Sequence, residues 1–211
     1  MKIKNKNIHH IKFEHSKLIH EFELEGYYDD IYGKAITYED DEMDDPIDAG
    51  NIEGCYIDAE NLNEPVHELL DSISGDHVRY SKYFNEYNKI NKKIRKLLKL
   101  GEEDVHIMSS SFIYIHKLKV LKKYRGLGIG KTLVQTLIND YKRESSIVFL
   151  TAAPLQFNTS DPSTKETFKK RNEQESKKKL IELYESYGFS NIPDGDGDMV
   201  AYTGDWFLWE M

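Results

Sequence analysis

The sequence predicts an α+β (α/β) fold, a central β-sheet with helices packed on it, and three stretches carry this prediction. Residues 112–120 alternate along their length and are rich in β-branched and aromatic side chains, which is typical of a half-buried strand. A glycine-rich turn follows, and beyond it Ile129, Leu133 and Leu137 recur at helical spacing. The apolar run 146–151 then predicts a buried strand beside the first one.

The alternation in residues 112–120 assigns their side chains to two faces, because successive side chains of a strand point to opposite sides. One face is expected to hold Ile113, Ile115, Lys117 and Lys119, and the other Tyr114, His116, Leu118 and Val120. His116 should therefore share a face with Leu118 and Val120.

The glycine turn places a helix N-terminus directly after this strand. The first turn of a helix leaves backbone N–H groups without partners and carries partial positive charge, which attracts phosphate. Gly126, Gly128 and Gly130 have no Cβ and let an anion approach the backbone. Four cationic side chains surround the turn, those of Lys122, Lys123, Arg125 and Lys131. The segment therefore predicts a site for a phosphorylated ligand.

Two common phosphate-binding loops do not fit this turn. A Walker loop requires a glycine where this chain has Arg125, ahead of the Gly-Lys-Thr triplet at 130–132. A dinucleotide fingerprint requires G-x-G-x-x-G, and the three glycines within 126–130 are spaced one residue too closely. Both interpretations are disfavoured.

The composition indicates a single soluble domain. The chain has 211 residues, sufficient for one domain with a sizeable core, and it contains no segment apolar enough to cross a membrane. The basic N-terminus lacks the apolar stretch of a secretory signal. Cys55 is the only cysteine, so no internal disulfide can form, and we expect it to be a small buried strand residue rather than a nucleophile. These features predict a cytoplasmic location.

The net charge of −8 is distributed unevenly along the chain. Residues 1–20 carry +4, residues 21–76 carry −18 and the remainder carries +6. The cationic part is the one expected to bind a phosphorylated ligand, and the anionic part is expected to attract a positively charged acceptor. This distribution argues against a protein that binds nucleic acid.

The first half of the chain is predicted to contain three strands and two helices. The strands are expected at 18–24, 31–39 and 52–59, and the helices at 63–73 and 77–100. The acidic run 39–48 is expected to be a solvated hairpin tip, with a lip that binds the acceptor as the alternative. The eight histidines show no recognised ligand spacing, so no metal is predicted.

The end of the chain is predicted to contain one more helix and a hairpin. The polar segment 155–172 is expected to be a loop inserted before a helix at 173–187, which stops at Gly188. Residues 193–198 predict a hairpin turn rather than a calcium loop, because the later glutamate and the flanking helices of an EF-hand are missing. Residues 205–211 predict a terminal strand.

Two motifs in this chain resemble the GCN5-related N-acetyltransferase (GNAT) superfamily. The first is Arg125-x-x-Gly128-x-Gly130 directly after a strand, and the second is LYESYGF at 183–189, at the end of a helix. The order of strand, glycine turn, helix, strand and tyrosine-containing helix also agrees. The resemblance extends over residues 112–189 and implies a mixed, twisted sheet flanked by helices, with two parallel strands splayed apart around acetyl-CoA.

The resemblance also implies roles for individual residues. Leu118 and Val120 would pair their backbone with the pantetheine arm. The pyrophosphate would be held at Arg125, Gly126, Gly128, Ile129, Gly130 and Lys131. Tyr184 would give a proton to the departing thiolate, and His116 would take a proton from the amine, with Glu53 as a weaker substitute. Relatives often have an asparagine ahead of the tyrosine where this chain has Lys177.

The predicted organisation is one acetyltransferase domain over residues 1–211. Residues 1–104, with a helical elaboration at 63–100, are expected to form the acceptor side, and residues 105–211 the acetyl-CoA-binding core. The predicted function is acetyl-CoA-dependent transfer of an acetyl group to a primary amine of a cationic small molecule or a lysine-bearing peptide. There are two alternatives: a non-catalytic acyl-CoA-binding module that docks on a protein, and a P-loop nucleotidase. The acceptor's identity and the oligomeric state, a homodimer included, stay open.

Overall fold

The computed structural model describes residues 10–16, 27–38, 46–59, 61–73, 75–101, 111–141, 147–154 and 168–204. Within them, seven strands form one sheet in the order β1-β2-β3-β4-β5-β7-β6. The strands are β1 (His10–Ser16), β2 (Tyr28–Tyr38), β3 (Pro46–Ile57), β4 (Phe112–Val120), β5 (Ile147–Thr151), β6 (Ser190–Asn191) and β7 (Asp198–Tyr202). Only β4 and β5 pair in parallel among these neighbours. The predicted mixed sheet is confirmed.

Helices cover both faces of the sheet. The described helices are α1 (Val66–Ile73), α2 (Gly75–Val78), α3 (Lys92–Leu97), α4 (Ile129–Tyr141) and α5 (Phe168–Glu185), and 3-10 turns lie at Ser81–Tyr83 and Lys122–Tyr124. α4 and α5 pack on one face, which we call the α4 face, and α1 and α3 pack on the other, the α1 face. None of the described helices is both long enough and apolar enough to span a bilayer.

The parallel pairing of β4 and β5 ends part-way along β4. It runs from Phe112 opposite Ile147 to Ile115 opposite Leu150. Beyond that point β4 continues to Val120 paired with β3, while the last residue of β5 pairs with β7. The two central strands therefore separate after Ile115, which is the opening expected of the predicted fold.

A β-bulge interrupts β4 at the start of this opening. Lys117 is opposite Glu53 and Ile115 is opposite Gly54, so two residues of β3 face three of β4. His116 is the extra residue. An inserted residue disrupts the ladder locally and reverses the in-and-out alternation beyond it.

The bulge changes which residues share a face. Leu118 and Val120 pack on the α4 face, together with the isoleucines that precede the bulge. His116 instead stacks on an aromatic side chain of the α1 face. The prediction that His116 shares a face with Leu118 and Val120 is therefore wrong, and so is the placement of Lys117 and Lys119 with the isoleucines.

The strands and the first helix of the N-terminal half agree largely with the prediction. β2 covers most of the predicted strand 31–39 but begins at Tyr28, and β3 begins at Pro46 and ends at Ile57, earlier at both ends than the predicted strand 52–59. These two strands pair antiparallel on either side of residues 39–45, as expected for a hairpin. The tip itself, 39–45, and the predicted strand 18–24 lie outside the described residues. α1 lies within the predicted helix 63–73, whereas β1 was not predicted.

Residues 77–100 do not form the single helix that their aromatic stripe predicts. Part of α2, a 3-10 turn and α3 occupy only sections of this range. Three asparagines explain the interruption. Asn85 accepts hydrogen bonds from two amides of the following turn, Asn88 has a φ of 58°, and Asn91 caps α3. Asparagine side chains favour turns and caps by bonding to nearby backbone, and here this preference outweighs the apolar spacing.

The C-terminal elements agree in type but differ in their bounds. α5 begins at Phe168, earlier than the predicted helix, and part of the expected inserted loop is therefore helical. β6 and β7 pair antiparallel around residues 192–197, which confirms the hairpin turn. β7 itself was not predicted, and the predicted strand 205–211 lies outside the described residues.

Candidate active site

The glycine turn joins the end of β4 to the start of α4. Gly126 and Gly128 have φ values of 80° and 81°, which side chains with a Cβ rarely adopt. A Cβ at either position would meet no described atom within 4 Å, so the outer side of the turn is open. Thr132 closes the turn, because its amide and its hydroxyl both donate to the Gly128 carbonyl, at 3.0 and 3.2 Å. The conformation, rather than crowding, requires these glycines.

The first turn of α4 is the part of this segment that is suited to an anion. The amides of Ile129 and Gly130 lie at the start of the helix, where backbone N–H groups have no carbonyl within the helix to bond to. The Ile129 side chain is buried in the core, so this residue offers only its backbone to a ligand. An α-helix of 13 residues adds the partial positive charge of its N-terminus. The arrangement suits a phosphate group.

The cationic side chains lie around the mouth of this turn. Arg125 is exposed, and its Nε donates to the carbonyl of Val120 at 3.0 Å, which fixes the guanidinium beside the end of β4. Lys122 and Lys123 are exposed, and Lys123 lies over the Tyr124 ring at 4.9 Å. These charges add electrostatic attraction for an anionic ligand.

Gly130 marks where three elements of the site converge. A Cβ built there would lie 3.6 Å from Leu118, 3.7 Å from Val120 and 3.3 Å from the Tyr187 hydroxyl. The helix start, the unpaired end of β4 and the residues just after α5 are therefore in direct contact. Tyr187 was not predicted as a site residue, although its spacing from Tyr184 places it on the same side of the helix.

Tyr184 lies in the core of the α4 face. Its side chain is 8% exposed, and its ring contacts those of Tyr187 and Phe189 at centroid distances of 6.0 and 6.2 Å. Burial, with a smaller contribution from Tyr187, raises the pKa of Tyr184 to about 12. The phenol is therefore protonated at neutral pH and available as a donor.

His116 lies on the opposite face of the sheet from Tyr184. Its ring stacks on Tyr114 at 4.4 Å and meets the ring of His77 edge-on at 4.8 Å. Desolvation and the neighbouring His77 lower the pKa of His116 to about 4, although one side of the residue is exposed to solvent. The ring is therefore neutral at pH 7 and can accept a proton.

Glu53, the weaker candidate for the base, and Lys177, which departs from the family pattern, each have partners of their own. Glu53 accepts from Lys117 at 2.7 Å and from Asn51 at 2.8 Å, so its carboxylate is already engaged. Lys177, at the position where relatives have asparagine, binds the side chain of Asp196 at 2.5 Å and its carbonyl at 2.8 Å. Lys177 thereby ties α5 to the β6–β7 turn rather than pointing to a ligand.

Asp198 forms a polar network that the sequence did not reveal. It is fully buried and accepts from Tyr83 at 2.7 Å and from Thr151 at 2.9 Å. Arg79 approaches it at 2.8 Å and Lys82 at 3.5 Å. The network joins the segment after α2 to the last residue of β5, next to the opening in the sheet. The sequence predicts only a hairpin turn at this residue.

The fold also gathers a cysteine and two histidines that are far apart in sequence. Cys55 is buried on β3, as predicted, and its Sγ lies 3.6 Å from His77 Nε2. His116 completes the group, and its ligand atom and those of the other two all lie within 4.8 Å of one another. Sequence spacing gave no sign of this, because the three residues come from β3, α2 and the bulge of β4.

Residues 34–159, more than half of the chain, match the acetyltransferase (GNAT) family. The chain belongs to the GNAT family. The match begins within β2, so it includes much of the first half, where the two motifs gave no resemblance, and it ends before α5. Acetyl-CoA is the acyl donor of this family, and the predicted family and donor are confirmed.

Solved structures similar to this GNAT chain include two crystal structures. AtaTR bound with AcCoA shares 11% identity, over 95% of this chain and 98% of that chain, with a TM-score of 0.40. An N-acetyltransferase from Staphylococcus aureus Mu50 shares 14% identity, over 81% of this chain and 67% of that chain, with a TM-score of 0.31. No curated protein sequence matches the chain.

Proposed function

We propose that this GNAT acetyltransferase moves the acetyl group of acetyl-CoA to a primary amine of a cationic small molecule or a lysine-bearing peptide. The observation that carries the proposal is the separation of β4 from β5 after Ile115, directly ahead of the glycine turn. The open edge of β4 is followed directly by the N-terminus of α4. The pantetheine arm and the diphosphate of the coenzyme are joined in the same order.

The coenzyme would bind along these two features. Leu118 and Val120 pair with β3 on one side, and the other edge of β4 is past the end of its pairing with β5. The amide groups of the pantetheine arm can pair with that edge as an added strand. The diphosphate would then reach the turn and the first helical residues, Arg125, Gly126, Gly128, Ile129, Gly130 and Lys131.

Tyr184 is the proposed proton donor to the leaving group. The amine nitrogen forms a bond to the thioester carbonyl carbon, the C–S bond breaks, and the thiolate of CoA takes the phenolic proton. A tyrosine whose pKa is raised to about 12 is protonated when the thioester binds, so its proton is in place when negative charge develops on the sulfur. The buried position next to Tyr187 holds the ring in one orientation.

His116 is the proposed acceptor of the amine proton. It lies at the bulge where β4 and β5 part, on the face opposite Tyr184, so that the thioester between the strands would have the donor on one side and the acceptor on the other. Its ring is neutral because its pKa is lowered, which leaves a lone pair for the proton. Glu53 is less suitable because Lys117 neutralises it.

The charge around His116 supports a cationic acceptor. The carboxylates of Asp30 and Asp76 both act on the His116 ring and favour positive charge there. They belong to the segment 21–76, which carries −18. A protonated amine would therefore be drawn to the α1 face of the opening before it loses its proton.

The proposal is tested by release of CoA thiol from acetyl-CoA in the presence of polyamines, aminoglycosides and lysine peptides, in buffer that contains a chelator. Turnover should depend on one class of amine, and Tyr184→Phe should lower kcat by about 100-fold or more while acetyl-CoA binding changes little. Tyr87→Phe is the matched control, because Tyr87 is 74% exposed. Acetyl-CoA binding without turnover on any amine would instead indicate a non-catalytic acyl-CoA-binding module.

A further inference from the structure

Cys55, His77 and His116 form one compact group on the α1 face, which we call the Cys–His cluster. Within the part of the chain that the structure describes, these three side chains lie close enough together to hold one metal ion. Cys55 and His77 are buried, and His116 is exposed. The cluster therefore has an inner side fixed by the core and an outer side open to solvent.

The spacing within the cluster suits a tetrahedral ion. Zn²⁺ binds cysteine sulfur at about 2.3 Å and histidine nitrogen at about 2.0 Å, which places a sulfur and a nitrogen ligand about 3.5 Å apart. The distance between Cys55 Sγ and His77 Nε2 is 3.6 Å. His116 lies within 4.8 Å of both and, because it is exposed, its ring can rotate to close the remaining gap.

The strands position the cluster from both sides. Cys55 on β3 is opposite Asp30 of β2 and Tyr114 of β4, and His116 lies at the bulge of β4 on the same face as Tyr114. Without the bulge, the alternation of β4 would still place residue 116 on the Tyr114 side, but the strand would not bend there. His77 enters from α2 and packs edge-on against the Tyr114 ring at 5.1 Å.

The electrostatic surroundings favour a cation. Asp30 and Asp76 act on the rings of both His77 and His116. The Tyr28 hydroxyl donates to Asp30 at 2.5 Å and also contacts Cys55, so one outer carboxylate is oriented beside the cluster. Hydrogen-bonded groups of this kind around the ligands are a regular part of metal sites in proteins.

We propose that the Cys–His cluster binds Zn²⁺ through the Cys55 sulfur and one nitrogen each of His77 and His116. The thiol proton leaves to solvent when the sulfur–metal bond forms, and both imidazoles bind in their neutral form. Thiolate and imidazole together select zinc over magnesium or calcium, which prefer oxygen ligands. Three protein ligands leave a fourth position, on the exposed side, for water or another small ligand.

This inference does not depend on the proposed acetyl transfer. A zinc ion on His116 would occupy the lone pair that the proposed mechanism uses, so the ion would suppress transfer through that residue. Metal binding is measured without acetyl-CoA or amine, and transfer is measured with a chelator present. Either proposal can therefore fail while the other stands.

The test uses the full chain, reduced and dialysed against a chelator, and titrated with Co²⁺. A cobalt–thiolate bond gives an intense near-ultraviolet charge-transfer band, and tetrahedral Co²⁺ gives strong visible bands. Since Cys55 is the only cysteine, the near-ultraviolet band reports on this cluster alone. We expect both bands to saturate at one ion per chain and to disappear when Zn²⁺ is added.

Three variants make the test specific. Cys55→Ser, which replaces only the sulfur atom, should abolish the near-ultraviolet band, and His116→Gln should weaken Co²⁺ binding at least about tenfold. His67→Gln is the matched control, because His67 is exposed on α1 and outside the cluster. Far-ultraviolet circular dichroism establishes that each variant is folded. Absence of the near-ultraviolet band in the native chain would overturn the proposal, as would an unchanged Co²⁺ midpoint in His116→Gln.

Discussion

The hydroxyl oxygen of Tyr187 lies 3.3 Å from the position that a Cβ atom on Gly130 would take. Tyr187 follows α5, and Gly130 is in the first turn of α4. The two motifs that carried the family resemblance, the glycine turn and LYESYGF, are therefore in contact although nearly the whole of α4, β5 and α5 separates them in sequence. The tyrosine-containing segment packs directly on the site proposed for the coenzyme.

This contact predicts the effect of adding one methyl group. Gly130→Ala should weaken acetyl-CoA binding by up to about tenfold, because the new Cβ enters the space between α4, Leu118 and Val120 and presses on Tyr187. Isothermal titration calorimetry measures the change. The double variant Gly130→Ala, Tyr187→Phe should recover part of the affinity, since the crowded hydroxyl is gone. Equal affinity of the native chain and Gly130→Ala would contradict this description of the contact.

The conformation of the glycine turn predicts a cost in stability. Gly128→Ala places a Cβ on a residue with a φ of 81°, and we expect the free energy of unfolding to fall by about 1–2 kcal/mol. Gly75→Ala is the control, because its Cβ would meet nothing within 4 Å among the described atoms and its φ is not positive. Urea denaturation should show no loss for that variant. A Gly128→Ala protein as stable as Gly75→Ala would mean that the turn has another conformation.

The buried carboxylate of Asp198 predicts a larger loss of stability than the glycine turn does. Asp198→Asn should destabilise the fold by about 2–4 kcal/mol, because Arg79 loses its charge partner and two hydrogen bonds to a charged group become neutral. Asp194→Asn removes a carboxylate from a solvent-exposed pair with Lys93 and should cost less than about 1 kcal/mol. Thermal and urea unfolding compare the two. Similar losses for both variants would show that the Asp198 network contributes little.

The lowered pKa of His116 predicts a dependence of stability on pH in the metal-free chain. An unfolded histidine titrates near 6.5, whereas desolvation and His77 lower the pKa of His116 to about 4 in the folded chain. Between these values the unfolded chain binds more protons, so the free energy of unfolding falls as the pH is lowered from 7 toward 4. His116→Gln should show a smaller fall over this range than His67→Gln. A parallel pH profile for the two variants would place the His116 pKa near its ordinary value.

The sequence was most informative where structure is set by neighbouring residues. The strand, the glycine turn and α4 were predicted with nearly the observed bounds, because glycines at positive φ and a helical repeat are local signals. The motif at 183–189 located Tyr184 on the last turns of a helix for the same reason. These features were sufficient to predict the family.

The remaining features depend on partners that are distant in sequence. The bulge at His116 arises from how β4 pairs with β3, and the alternating sequence of β4 gives no sign of it. Cys55 and His77 meet only because α2 packs on the sheet, so their spacing carried no ligand signal. In residues 77–100 the local signals competed, and the asparagines at 85, 88 and 91 outweighed the aromatic repeat.

A crystal structure of the chain with acetyl-CoA is the most direct test of the central claim, which is that the open edge of β4 and the first turn of α4 hold the coenzyme. We expect the diphosphate within hydrogen-bonding distance of the amides at 126–131 and the pantetheine arm alongside Leu118 and Val120, with the sulfur near Tyr184. A coenzyme bound elsewhere, or a glycine turn without a diphosphate at saturating acetyl-CoA, would contradict the account.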